Sequence, residues 1–137
     1  MKDLNTAVVT GGGRGIGKET AVLPAKKGLN VVICSRTQRE INSVVKEIAS
    51  IRNSHITGRK CDVSKSEEVN NLVKEVLDNY GRIDILINNA GISYAKNLID
   101  TTEEEWDRTL DINLKGVFLF VVLSILVSYP HLVLPQT

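Results

Sequence analysis

Four short apolar runs rich in β-branched residues alternate with segments of helical period, and that alternation leaves few folds open. The runs cover residues 7–10, 31–34, 55–59 and 83–87, and each reads as a buried strand. Between them Ile41, Val44, Val45 and Ile48 form one helical stripe, and Val69, Leu72, Val73, Val76, Leu77 and Tyr80 form another. Thr37 with Glu40, Ser64 with Glu67, and Thr102 with Glu105 each fit the S/T-x-x-E capping box that opens a helix. The order βαβαβαβα predicts an α/β protein of three layers, a doubly wound parallel sheet with helices on both faces, because right-handed crossovers permit little else. With no repeat, linker or low-complexity segment, residues 1–137 read as one domain.

Charge narrows the function classes. A formal net charge of +1 gives no excess of cations to displace counterions from a polyanion, so nucleic acid is not an expected partner. Cys34 and Cys61 are too few for a disulfide framework and read as two buried thiols in a reducing compartment. Lys2 and Asp3 run at once into a strand-like stretch rather than a long apolar leader, so the expected location is cytoplasmic.

The first strand runs directly into TGGGRGIG, residues 10–17, at the point where ligands of such sheets bind. Two phosphate loops compete for this stretch. Gly12 to Lys18 follow G-x-x-x-x-G-K, but the next residue is Glu19, which cannot supply the magnesium-binding hydroxyl of a P-loop and repels a triphosphate. The alternative spacing G-x-x-x-G-x-G is met by Gly11, Gly15 and Gly17. It serves the needs of a dinucleotide site: a tight turn off the strand, backbone close to pyrophosphate, and a helix N-terminus facing it. A merely flexible turn is the plain alternative.

About twenty residues further on, NAD-binding folds place an acidic residue on the ribose 2′-hydroxyl. Here the second strand ends in Ser35 and Arg36. A guanidinium cannot accept from that hydroxyl but pairs well with a 2′-phosphate, and Arg14 adds a second cation. The expected cofactor is NADP(H) in preference to NAD(H).

Taken in order, Thr10-Gly11-Gly12-Gly13-Arg14-Gly15-Ile16-Gly17, Asp62-Val63, Asn88-Asn89-Ala90-Gly91 and Asn113 in Asp-Ile-Asn-Leu-Lys-Gly resemble the short-chain dehydrogenase/reductase family, over about residues 2–119. The resemblance implies a Rossmann-type sheet and hydride transfer between a nicotinamide and a small carbonyl or alcohol substrate. It implies that Asp62 bonds the adenine amino group with Val63 beside the ring, and that Asn88, Asn89, Ala90 and Gly91 support the central strand and line the cofactor's ribose. It further places Asn113 in a catalytic tetrad, holding a helix bend and a relay water. Taken singly, each of these residues also has a structural reading: Asp62 as a turn residue, Asn88 and Asn89 as loop amides, Asn113 as a polar helix residue.

The family's proton donor is a Tyr with a Lys four residues later, accompanied by a Ser, all beyond the Asn. After Asn113 this sequence holds only Lys115 and then Tyr129, so no Y-x-x-x-K follows, and Ser124 and Ser128 fall in a helix-like run. The expectation is a cofactor-binding part of the family fold, with a sheet incomplete at its C-terminal side and no catalysis of its own. The rival is a non-catalytic NADP-binding or interaction module that joins a partner through its tail. Residues 116–137 carry no Asp, Glu, Lys or Arg. Three explanations of that tail stand: an interface helix joining two copies from about Thr102 onward, a membrane segment, or a change of frame or truncation near residues 118–120. Pro130 interrupts the run short of a span, so the membrane is the less favoured of these. Pro24, within the expected first helix, carries a cost of about 3 kcal/mol.

Overall fold

A computed structural model describes residues 4–128. Four parallel strands, β1 (Thr6–Thr10), β2 (Asn30–Ser35), β3 (His55–Lys60) and β4 (Ile85–Ile87), form one sheet in the order β3-β2-β1-β4. Helices α1 (Gly15–Lys26), α2 (Gln38–Ala49) and α3 (Ser66–Tyr80) connect them, and α4 (Glu103–Leu110) and α5 (Gly116–Ser128) follow. This is the expected doubly wound α/β fold, and its order is that of the first strands of a Rossmann sheet.

The strands read as continuous apolar runs because both faces are covered. Val9, Val31 and Ile33 pack with Ala21 and Ala25 of α1 and with Ile41, Val44 and Ile48 of α2. Val8, Val32 and Cys34 face the other way, onto Val69, Leu72, Val73 and Val76 of α3 and Phe120 of α5. Helices α2 and α3 present the stripes their spacing predicts. The two cysteines are buried and unbridged, also as expected.

The direction change of the topology falls between β1 and β4, whose register pairs Ala7, Val8 and Val9 with Ile85, Leu86 and Ile87. The fourth strand is shorter than its apolar run: the Asp84 carboxylate, at 2.7 Å, takes the Thr6 amide, and the ladder begins one residue later. Among the described residues β4 has β1 as its sole neighbour.

Of the three capping boxes, one forms. Thr102 Oγ1 accepts from the Glu105 amide at 3.2 Å and the Glu105 carboxylate accepts from the Thr102 amide at 3.0 Å. Thr37 does occupy an N-cap but makes no side-chain cap bond, and the Glu40 carboxylate stands 3.8 Å from Arg14. Ser64 lies one residue outside the N-cap of α3 and gives its hydroxyl to Asp62 at 2.7 Å. Pro24 does lie within α1, but the helix runs only two residues past it, so its missing amide falls in the last turn.

Between α4 and α5 the backbone widens into a π-helical turn, Asp111–Lys115, so the whole stretch is one bent helix. From Glu103 to Leu126 it spans 24 residues with a mean hydropathy of 1.9 in its most apolar window, long and apolar enough to cross a membrane by length and composition. Pro130, on which the expected interruption rests, lies outside the described residues.

Candidate functional site

The carboxyl ends of β1, β2 and β4 and the segment after β3 enclose an open cleft of about 360 Å³. Its floor is the turn from β1 into α1. Gly11 has φ +66° and Gly15 φ +54°, conformations that other residues adopt only under strain. At Gly17 a Cβ would stand 2.3 Å from the Gly11 carbonyl oxygen, so only glycine lets the helix start close against the strand end. Arg14 is the N-cap of α1 and offers no side-chain acceptor, and the first intrahelical bond runs from the Lys18 amide to the Arg14 carbonyl at 3.3 Å. The amides of Gly15, Ile16 and Gly17 therefore lack intrahelical partners at the cleft, an arrangement suited to an anion. Ile16 is 80% exposed on the rim.

The first and fourth strands are clasped over this floor. Thr10 Oγ1 accepts from the amides of Asn89 and Ala90, both at 3.0 Å, while Asn89 Nδ2 donates to the carbonyls of Thr10 at 3.0 Å and Gly11 at 3.2 Å. Thr10 itself lies beneath the cleft, and Asn89, Ala90 and Gly91 form its wall.

Ser35 and Arg36 close the β2 end. Ser35 Oγ accepts from the Thr37 amide at 3.2 Å, and the Arg14 guanidinium stands 3.8 Å from Glu40. On the side below β3, Asp62 Oδ1 accepts from the Ser64 amide at 3.1 Å and hydroxyl at 2.7 Å. Burial pushes the Asp62 carboxyl up, but the two Ser64 donors and the charges of Arg36 and Lys65 outweigh it and bring it below its ordinary 3.8. Asp62 is therefore an ionised acceptor at neutral pH. Val63 is buried against α5, where a Cβ on Gly116 would lie 2.8 Å from its side chain. Hydrogen bonding with Cys61 and burial hold the Cys34 thiol well above its ordinary 9.0, which leaves it an unreactive core group.

Asn113 stands apart from the cleft lining. It sits in the π-helical turn, where its side-chain amide meets the backbone of Ile92 twice: Oδ1 accepts from the Ile92 amide and Nδ2 donates to the Ile92 carbonyl, both at 2.8 Å. Asn113 is thus a staple between the bent helix and the segment that follows the β4 wall. Lys18, the residue at the lysine position of a P-loop, turns to Glu47 of α2 at 2.8 Å and is not part of the cleft.

The structure thus gathers Gly11, Arg14, Gly15, Ile16, Gly17 and Ser35, together with Arg36, Asp62, Val63, Asn89, Ala90 and Gly91, in the lining of a single cleft. Sequence reasoning missed Thr37, Glu40, Cys61, Ile92 and Ile112, which also line it. Glu40 had a visible signal, three residues after the N-cap of α2, but that signal pointed to a capping role. Ile92 had none, since its exposure to the cleft follows from its pairing with Asn113.

The family model described as short chain dehydrogenase matches residues 5–126. The chain belongs to the short-chain dehydrogenase family. It is 40% identical over 113 residues to the (2S)-[(R)-hydroxy(phenyl)methyl]succinyl-CoA dehydrogenase subunit BbsD of Thauera aromatica, covering 82% of this chain and 45% of that one. It is 37% identical over 118 residues to the 3-oxoacyl-[acyl-carrier-protein] reductase FabG of Staphylococcus aureus, covering 86% and 48%. Among solved structures, an actinorhodin polyketide ketoreductase with NADPH superposes with a TM-score of 0.89 at 32% identity, over 94% of this chain and 49% of that one. This short-chain dehydrogenase chain therefore spans about half the length of the curated relatives it matches.

Proposed function

We propose that these residues form the NADP(H)-binding part of a short-chain dehydrogenase/reductase that acts on a small carbonyl or alcohol. The observation that carries the reading is the pair of guanidiniums, Arg14 and Arg36, lining the β2 end of a cleft whose floor is a helix N-terminus without a capping side chain. The amides of Gly15, Ile16 and Gly17 receive the pyrophosphate, and Ser35 with the two arginines receives the 2′-phosphate. Asp62, held ionised, accepts from the adenine amino group, with Val63 beside the ring. The wall of Asn89, Ala90 and Gly91 faces the ribose, and exposed Ile16 gains cover from a planar ring laid on the rim. The open space above Gly15, where a Cβ would meet nothing within 4 Å, fits this occupant. When bound, the nicotinamide supplies or accepts the hydride. Asn113 positions the Ile92 segment that borders the reacting end.

Neutralising an alkoxide requires a proton donor. No Tyr in the 137 residues has a Lys four positions on. These residues alone accordingly bind dinucleotide without turning over a substrate.

The long bent helix supports a second copy as partner rather than a bilayer. Its first half carries Glu103, Glu104, Asp107 and Asp111, and one of its faces is already packed on α3 through Phe120. Its other face exposes Trp106, Leu110, Leu114 and Phe118.

Calorimetric titration of the 137-residue chain with NADPH and NADH tests the cofactor reading. Tighter binding of NADPH is expected, with the order reversed in Arg36→Asp. Equal affinities in the parent overturn the arginine argument, and turnover of a carbonyl panel by this chain overturns its catalytic silence.

A further inference from the structure

The β2 end of the cleft holds a third charge, of the opposite sign. Glu40, in the first turn of α2, lines the same cleft as Arg14 and Arg36, and its carboxylate stands 3.8 Å from the Arg14 guanidinium. Arg14 is 84% exposed and Glu40 33%, so the pair is loose and its members are available to a ligand. The Cβ of Glu40 also lies close beneath the glycine loop. A Cβ on Gly13 would lie 3.2 Å from that of Glu40 and 2.7 Å from Ser35 Oγ, so the glycine loop rests directly on the Ser35–Glu40 surface.

The two forms of a dinucleotide meet this carboxylate differently. A 2′-phosphate brings about −1.5 to −2 charges into a space that already holds one, and must draw Arg14 off its partner. A 2′-hydroxyl brings no charge and can donate to a carboxylate. Glu40 therefore acts against the two arginines. We propose that Glu40 is a specificity-determining residue of the cleft: it competes with the 2′-phosphate for Arg14 and narrows the discrimination that the arginines alone would give. The inference rests on the dinucleotide reading of the cleft but not on the size or sign of the parent's preference.

The test uses 2′,5′-ADP and 5′-AMP, which differ by the 2′-phosphate alone, titrated calorimetrically into the full chain. Glu40→Gln is expected to bind 2′,5′-ADP about 3- to 10-fold more tightly than the parent at moderate salt, with 5′-AMP unchanged or weaker. In an Arg14→Met background the same substitution should lose most of that gain. Glu40→Ala, expected to move the same way, guards against an effect peculiar to glutamine. If both probes tighten equally, or if 2′,5′-ADP is unaffected, the proposal fails. A parent that binds the two probes equally overturns the NADP preference only; Glu40→Gln must still open a gap in favour of 2′,5′-ADP. Failure of both probes to bind overturns the cleft reading and this inference together.

Discussion

Asp62 is a cleft residue whose ionisation its neighbours set. Its carboxyl is held below 3.8 by the Ser64 donors and by Arg36 and Lys65, against the opposing effect of burial. A depressed folded-state value contributes stability that is fully present above the unfolded value and is lost as pH falls through the folded one. The Asp62 contribution to the thermal midpoint should therefore be intact above about pH 4 and be lost below it, and Asp62→Ala should flatten part of the acid decline. Melting curves between pH 6 and pH 2.5 check this; identical acid slopes in parent and variant would contradict it. Asp62 was legible in the sequence because a family pattern marks it, whereas its partner was misread. Ser64 looks like an N-cap from its spacing to Glu67, yet the helix starts later and the hydroxyl goes back to Asp62. A three-residue spacing does not tell which end of the reciprocal pair the backbone will choose. The same ambiguity hid Glu40, whose position fits a cap and whose side chain stands by Arg14 in the lining of the cleft.

At the scale of elements, periodicity carried most of the fold. Strands β1 to β3 and the stripes on α2 and α3 follow from apolar spacing because each element has a single well-defined burial pattern. The π-helical turn at Asp111–Lys115 was not legible that way, since an extra residue per turn leaves no mark in an apolar run. It becomes intelligible once Asn113 is seen meeting Ile92 with both ends of its amide, which turns one side chain into two backbone bonds. Asn113→Leu removes both at once and should cost about 1–3 kcal/mol, more than an ordinary exposed substitution. Urea unfolding gives the cost, and amide exchange at Ile92 gives its location; unchanged exchange there would show that the staple is not what orders the segment.

At the scale of the molecule, the bent helix carries two stripes at steps of four. Ile112, Gly116, Phe120 and Ser124 are buried, and Trp106, Leu110, Leu114 and Phe118 stand between 40% and 64% exposed. A row of large apolar side chains on one surface is a site of association. Sedimentation should find the parent as a dimer and the Leu114→Glu, Phe118→Glu double variant as a monomer, and a parent that stays monomeric at tens of micromolar rejects the second-copy reading. The clasp of Thr10 and Asn89 ties occupancy of the cleft to the stability of the sheet. It joins residues 79 apart in sequence, so it forms only where a long loop has been closed. The glycine loop is one side of the clasp and the wall is the other, because Asn89 Nδ2 donates to the carbonyls of Thr10 and Gly11. A dinucleotide seated between floor and wall would therefore hold that closure in place by mass action.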